Sequence, residues 1–314
     1  MTPESQKFTL PSDNRVWDNG QVALERDVTF SVRSKAINYG HGVFEGLRAY
    51  WDEEHHQLNL FHAVDHFSRL KEVSKIMNLE FSFTVEELIQ GTVDLLRAND
   101  VHENTYIRPL VLNVSDNIGP SLANSKSRVV IYTQPMQKRV PKDELTAGFS
   151  SWQRVSDNMI PPHAKVTGAY VNSGLAMLEA EQNGFDEVLF LNAQGQVSEG
   201  ARENFFMFKH GQLVTPPTSA DILEGITRRT VLELARDELH LPVVERTISR
   251  TEVYGAQEAF VSGTAMEVSP LVEIDHRVIG DGHEGEVVTK LRDLLKAAST
   301  GKLSQYQSFL TSVY

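Results

Sequence analysis

Four short segments hold the residue types that could do chemistry. In Pro161-Pro162-His163-Ala164-Lys165-Val166-Thr167-Gly168-Ala169-Tyr170, one lysine stands among small and apolar residues. Burial disfavours an ammonium ion, so a lysine there is expected to have a lowered pKa and to act as an amine nucleophile. A stem laid over apolar surface with its head in water would produce the same pattern. Val197-Ser198-Glu199-Gly200-Ala201-Arg202-Glu203-Asn204 puts a carboxylate at the end of an apolar hairpin. It is suited to holding a protonated ring nitrogen, or simply to a solvated turn. Leu223-Glu224-Gly225-Ile226-Thr227 sets a glycine just before a helix, where unpaired N–H groups make an anion site. Ser262-Gly263-Thr264-Ala265 offers a second small-residue turn with exposed N–H groups and a hydroxyl. His62 and His66 stand four apart on one helix face, but with no third ligand at suitable spacing no metal site is expected. His55-His56, after Asp52-Glu53-Glu54, reads as a solvated acidic turn.

Three more segments precede these: Tyr39-Gly40-His41-Gly42-Val43-Phe44-Glu45-Gly46-Leu47-Arg48, then His62-Ala63-Val64-Asp65-His66-Phe67-Ser68-Arg69-Leu70, then Tyr106-Ile107-Arg108-Pro109. In order and rough spacing, the seven segments resemble those of the fold type IV pyridoxal-phosphate enzymes, most closely the branched-chain amino-acid aminotransferases. The resemblance runs over nearly the whole chain. It implies a two-domain, D-amino-acid aminotransferase-like fold and pyridoxal 5′-phosphate as cofactor. The implied reaction moves an amino group between an L-branched-chain amino acid and 2-oxoglutarate by a ping-pong route.

Site roles follow from the same resemblance. Lys165 would carry the cofactor and serve as the general base. Arg69 would bind the phosphate by a charge-assisted contact, with Ile226, Thr227 and Thr264 completing the cup. Glu199 would pair with the pyridinium nitrogen, Tyr170 would hydrogen-bond the ring's phenolic oxygen, and Leu223 would pack on the ring face. Tyr106 and Arg108 are candidates for receiving the carboxylate of glutamate. Tyr39, Phe44 and Arg48 would line the same side of the pocket, in part across a homodimer interface, and Thr264 and Ala265 would also touch substrate. The implied partners are small amino acids and keto acids.

The chain departs from the branched-chain pattern at three places. Ala169 precedes Tyr170 where asparagine is common, and Arg202 follows Ala201 where a small residue, often glycine, is usual. Gln134-Pro135-Met136-Gln137-Lys138-Arg139-Val140 lacks the usual aromatic loop, which makes Arg139 a rival to Arg108. Fold type IV also includes transaminases of D-amino acids and (R)-amines, and these are the alternative reading.

Elements must position these residues. Val16-Trp17 and Val22-Ala23-Leu24 flank Asn19-Gly20, a hairpin turn suited to positive φ. Val64, Phe67, Leu70 and Val73 recur at helical spacing. A second helix starts at Thr84, with Glu87 placed for a capping box. Strands are expected over 106–114 and 128–132, and a linker over 134–144, where Pro135 and Pro141 bracket several charges. A helix over 174–183 ending at Gly184 should be followed by strands at 187–191 and, beyond an Asn192–Gly195 turn, at 205–208. A helix after Thr227 would bury Val231, Leu234, Ala235 and Leu239. Strand 259–262 and a final helix from about Glu286 complete the expectation. Without regular strand–helix alternation, this reads as α+β rather than a doubly wound sheet. The expected domains are 1–133 (small) and 145–314 (large and cofactor-binding).

The bulk numbers set the outer limits. The 314 residues can bury two cores. A composition 40% hydrophobic and 23% charged is that of an ordinary folded protein. A formal net charge of -12 argues against a nucleic-acid partner. With no cysteine, disulfides, thiolate nucleophiles and cysteine-bound metals are excluded. Residues 1–17 lack the apolar core of a signal peptide and no stretch is long enough to span a bilayer, so a cytoplasmic protein without membrane partners is expected.

Overall fold

The computed structural model describes residues 13–136 and 143–314. Its first hairpin turns at Asn19 and Gly20, both with positive φ (46° and 110°), and pairs Arg15–Asp18 antiparallel with Gln21–Leu24. These strands form one edge of an eight-stranded sheet. The path continues through Ser127–Pro135, Thr105–Asn113, Leu47–Asp52, Gln57–Phe61 and Leu310–Ser312, with Gly42–Phe44 also pairing Thr105–Asn113. The pairings in this sheet are all antiparallel.

Two helices cover that sheet. Val85–Ala98 opens with the expected capping box: the Thr84 hydroxyl accepts the Glu87 N–H and the Glu87 carboxylate accepts the Thr84 N–H. In Ala63–Ile76, Phe67, Leu70 and Val73 are buried, but Val64 is 56% exposed. Ala63 and His66 take up the rest of the buried face, because the helix turns that face toward the strands one residue away from Val64.

The second sheet starts at Leu145–Phe149 and has nine strands among the described residues. Its path runs Val197–Gly200, Glu187–Leu191, Leu145–Phe149, Glu267–Ile274, Glu258–Gly263, Asn204–Lys209, Gln212–Thr215 and Val243–Glu245. A further pairing, Glu199 opposite Asn204, joins the first strand of this path to the sixth and closes the intervening strands into a ring. Helix Tyr170–Gln182 begins four residues earlier than the periodicity predicts and ends before Gly184, whose φ of 82° suits glycine. Helices Ile226–Asp237 and Glu286–Ser299 share a core with Phe206, Phe260 and Val268 of the ring. Val231, Leu234 and Ala235 are buried there, while Leu239 lies beyond the helix end and is half-buried. Among the described residues no helix is long and apolar enough to cross a membrane.

The chain's end does not stay with its second half. After Glu286–Ser299 it returns to the first sheet, where Leu310–Ser312 pairs Gln57–Phe61 and Val313 is fully buried. The two halves also meet at a pair of glycines. Gly40 has φ of 62°, and a Cβ there would stand 2.8 Å from Gly168 Cα, closer than side chains allow. The Gly168 N–H donates to Gly40 O (3.1 Å), the Phe44 N–H donates to Lys165 O (3.1 Å), and Val43 bridges Val166. The segment around Lys165 is therefore pinned by its backbone to strand Gly42–Phe44.

Candidate active site

Lys165 sits in the crevice that this pinning creates. Its Nζ donates to the Tyr170 hydroxyl (2.9 Å) and stands 5.0 Å from the centre of the Phe44 ring, which itself packs 4.8 Å from the Tyr170 ring. Burial opposes its charge, but the Tyr170 oxygen and the Glu45 carboxylate outweigh burial and hold the ammonium above the ordinary lysine value. The lowered pKa expected from an apolar neighbourhood is thus reversed: Pro161, Pro162, Ala164 and Val166 do line the same cavity, but the fold adds the Tyr170 oxygen and the Glu45 carboxylate, and these decide the sign.

On one side of Lys165 is an anion cup. Helix Ile226–Asp237 starts at Gly225 with no side-chain cap, so the N–H groups of its first turn point outward. Arg69 stands beside it, donating from Nη1 to Glu224 O (2.5 Å). The Nε and Nη2 of Arg69 grip Glu45 (2.6 and 2.8 Å), a wholly buried carboxylate that also accepts from His66 Nδ1 (2.8 Å). Burial alone would raise the Glu45 pKa; Arg69 and His66 override it and hold the carboxyl well below the usual range. His66 has its own pKa lowered by burial in spite of Glu45. His62 spans Asp65 (2.7 Å) and the Thr230 hydroxyl (2.9 Å).

Across the cavity from the cup lies Glu199. Its Oε1 meets Arg154 Nη2 (2.7 Å), and its Oε2 accepts from Asn204 Nδ2 (3.0 Å) and the Leu223 N–H (3.1 Å). Burial raises the Glu199 pKa, and Arg154 only partly offsets this. Arg69, Lys165, Tyr170, Leu223, Ile226, Thr227 and Thr264 border this one cavity with Glu199. Two polar atoms in its walls, Arg154 Nε and Ser262 Oγ, are buried without a hydrogen-bond partner among the described residues. A cup of N–H groups and a guanidinium, an amine and a carboxylate around one cavity match a phosphorylated aldehyde with a basic ring nitrogen. The donor set therefore fits pyridoxal phosphate.

A second cavity of about 370 Å³ opens on the other side of Lys165. Strand Thr105–Asn113 turns Tyr106, Arg108 and Leu110 into it by simple alternation. Arg108 donates from Nε and Nη2 to the Tyr106 hydroxyl (3.2 and 2.8 Å) and lies 4.3 Å from the Phe44 ring centre. Gly46 makes room for this pair, since a Cβ there would fall 2.2 Å from the Tyr106 hydroxyl oxygen. Phe44, Thr264, Ala265 and Met266 complete the apolar and turn surfaces.

Two expected residues border neither cavity. Tyr39 is 46% exposed, with its hydroxyl accepting the Gly119 N–H (3.0 Å). Arg48 points instead toward the second sheet, where it pairs with Glu267 (2.6 Å) beside Tyr50, because alternation along Leu47–Asp52 gives those two residues a common face. Arg139 lies outside the described residues. Sequence reasoning also missed several supporting residues. Glu45, His66 and Asn204 stood inside quoted motifs without roles, whereas Arg154 had no local signal at all, its partner being 45 positions on.

Comparison with known proteins agrees with this geometry. The chain belongs to the amino-transferase class IV family, whose profile matches residues 42–274, and members of that family work with pyridoxal 5′-phosphate. It is 40% identical over 296 residues to a probable branched-chain-amino-acid aminotransferase of Aquifex aeolicus, covering 94% of this chain and 95% of that one. The crystal structure of the branched-chain aminotransferase of Thermoproteus uzoniensis with norvaline is 40% identical and superposes with a TM-score of 0.91 over 96% of this chain and 99% of that one. The T.th. branched-chain amino acid aminotransferase complexed with N-(5'-phosphopyridoxyl)-L-glutamate is 35% identical, with a TM-score of 0.89 over 96% and 99% of the two chains. The chain is accordingly a pyridoxal-phosphate-dependent transaminase of the branched-chain amino-acid type.

Proposed function

We propose that the enzyme moves an amino group between a branched-chain L-amino acid and 2-oxoglutarate in two separate half-reactions, the first product leaving before the second substrate binds. The observation that carries this reading is the mixed wall of the larger cavity, where Arg108 and Tyr106 share one surface with Phe44, Leu110 and Met266. An apolar side chain and a carboxylate can then use the same space in turn. The relatives bound to norvaline and to a glutamate adduct support both halves.

Arg69, with the N–H groups of Ile226 and Thr227 and the hydroxyl of Thr264, would hold the cofactor's phosphate. Glu199 would hold a proton on the ring nitrogen, Tyr170 would hydrogen-bond the phenolic oxygen, and Leu223 would pack against the ring. Pyridoxal phosphate, when bound, supplies an electron-accepting ring that stabilises negative charge on the substrate α-carbon. Lys165 Nζ would carry the cofactor at rest, and its amine is placed to take the proton from the substrate α-carbon. The Thr264–Ala265 turn receives the substrate's α-carboxylate through its N–H groups. We read residues 1–133 and 145–314 as the two domains, joined at 134–144, with the last strand returned to the first. A cytoplasmic homodimer completes the reading, in which Tyr39 and the 95% exposed Ile118 reach a partner's cavity.

The test is the single-turnover absorbance change of the holoenzyme with L-leucine, L-glutamate, D-alanine and (R)-1-phenylethylamine in turn. Fast changes with the first two and slow ones with the others are expected. Faster conversion of D-alanine or the amine would overturn the assignment.

A further inference from the structure

Of the three arginines that line the larger cavity, Arg69, Arg108 and Arg202, the proposed function does not use Arg202. Arg202 enters it from the turn between Val197–Gly200 and Asn204–Lys209, where the ring of strands closes. Its Nε donates to Glu203 Oε1 (2.7 Å) and its backbone N–H to Glu203 Oε2 (3.1 Å). Its Nη2 is 3.8 Å from Glu187 Oε2, within ion-pair range but too long for a hydrogen bond. The Nη edge of the guanidinium therefore has no hydrogen bond among the described residues, and the side chain is 43% exposed. Glu187 and Glu203 are both buried. Burial, together with their mutual repulsion at Glu187, pushes both carboxyls up, so they oppose the arginine less than two ordinary carboxylates would.

We propose that Arg202 is a specificity-determining residue, giving the substrate cavity a carboxylate-binding cation in addition to Arg108 and favouring dicarboxylic amino and keto acids. A guanidinium held at Nε presents its two Nη groups as a planar fork, the geometry that a carboxylate accepts best. The inference rests on the proposed reading only in taking the α-carboxylate to sit on the Thr264–Ala265 turn, which leaves Arg202 for the distal group. The competing account makes Arg202 a counter-ion for the buried acids and nothing more.

Two inhibitors distinguish these accounts: glutarate, with a carboxylate at each end, and 4-methylvalerate, with one carboxylate and an apolar end. Binding to the holoenzyme is read from the shift in cofactor absorbance, with thermal unfolding measured alongside. In Arg202→Gly and Arg202→Gln, glutarate should bind roughly ten- to a hundredfold more weakly, with 4-methylvalerate changed by less than about twofold. Arg202→Gln keeps much of the side chain's length and a donor for Glu203, so it covers the case in which the glycine variant does not fold. Equal losses for both inhibitors, or no loss for either, would overturn the proposal. A wild-type enzyme that converts no L-leucine would instead defeat the proposed function, leaving the contrast between the inhibitors to judge Arg202.

Discussion

Glu199 takes donors from three parts of the chain: Arg154 before the lysine segment, Asn204 across the same hairpin, and the backbone of Leu223. Each has a different consequence. Burial favours a neutral carboxyl, which could not keep a ring nitrogen protonated; Arg154 works against that and keeps the acid closer to its charged form. Glu199→Gln keeps the side chain's shape and one acceptor oxygen while removing the charge and replacing the other acceptor with an N–H donor. Turnover should fall on the order of a hundredfold or more, with cofactor release on dilution little altered, because the phosphate cup is built by other residues. Parallel measurements of kcat and of cofactor loss check this; a variant that loses cofactor as fast as it loses turnover would contradict the role. At this scale the sequence is informative for Lys165, Arg69 and Glu199, whose motifs the fold brings to one cavity. It is silent on Arg154 and misleading on Arg48, because a contact across 45 or 219 positions leaves no trace in local spacing.

Among elements, those with a local cause are the legible ones. The Asn19-Gly20 hairpin needs only two residues tolerant of positive φ, and the helix from Thr84 needs only its own first turn. Thr84→Ala removes the acceptor for the Glu87 N–H and should cost about 1 kcal/mol. The shift in denaturant midpoint measures it, and an unshifted midpoint would mean that packing alone fixes this helix end. Strands Gly42–Phe44, Leu47–Asp52 and Gln57–Phe61 escape a reading by pattern for the opposite reason. Gly42–Phe44 is three residues long and wholly buried, so no apolar–polar alternation marks it, while the alternations in the other two, Leu47-Arg48-Ala49 and Gln57-Leu58-Asn59-Leu60, are too short to stand out. Val197–Gly200, wholly buried, has the composition of an approach to a turn, yet it is the strand that closes the ring.

Over the whole molecule the chain crosses between its halves more than once. Val313 belongs to the core of the first sheet, with its N–H on Leu58 O (2.8 Å) and its carbonyl accepting from Arg97 Nε (2.7 Å). Val313→Ala removes two buried methyl groups and should cost about 2 kcal/mol. Since residues 300–314 tie both halves together, tryptophan fluorescence and far-ultraviolet circular dichroism should shift as one transition. Two separated transitions, only one of them moved, would show that the halves unfold independently. The backbone bond from Phe44 to Lys165 has a mechanical consequence of its own. Though Lys165 follows the linker in sequence, it rides with the first sheet, as does Arg69, while Glu199 and the start of helix Ile226–Asp237 ride with the second. Any loosening between the two would thus shift the reactive amine relative to Glu199 and to the start of that helix, and would be felt as lost alignment well before it was felt as lost fold.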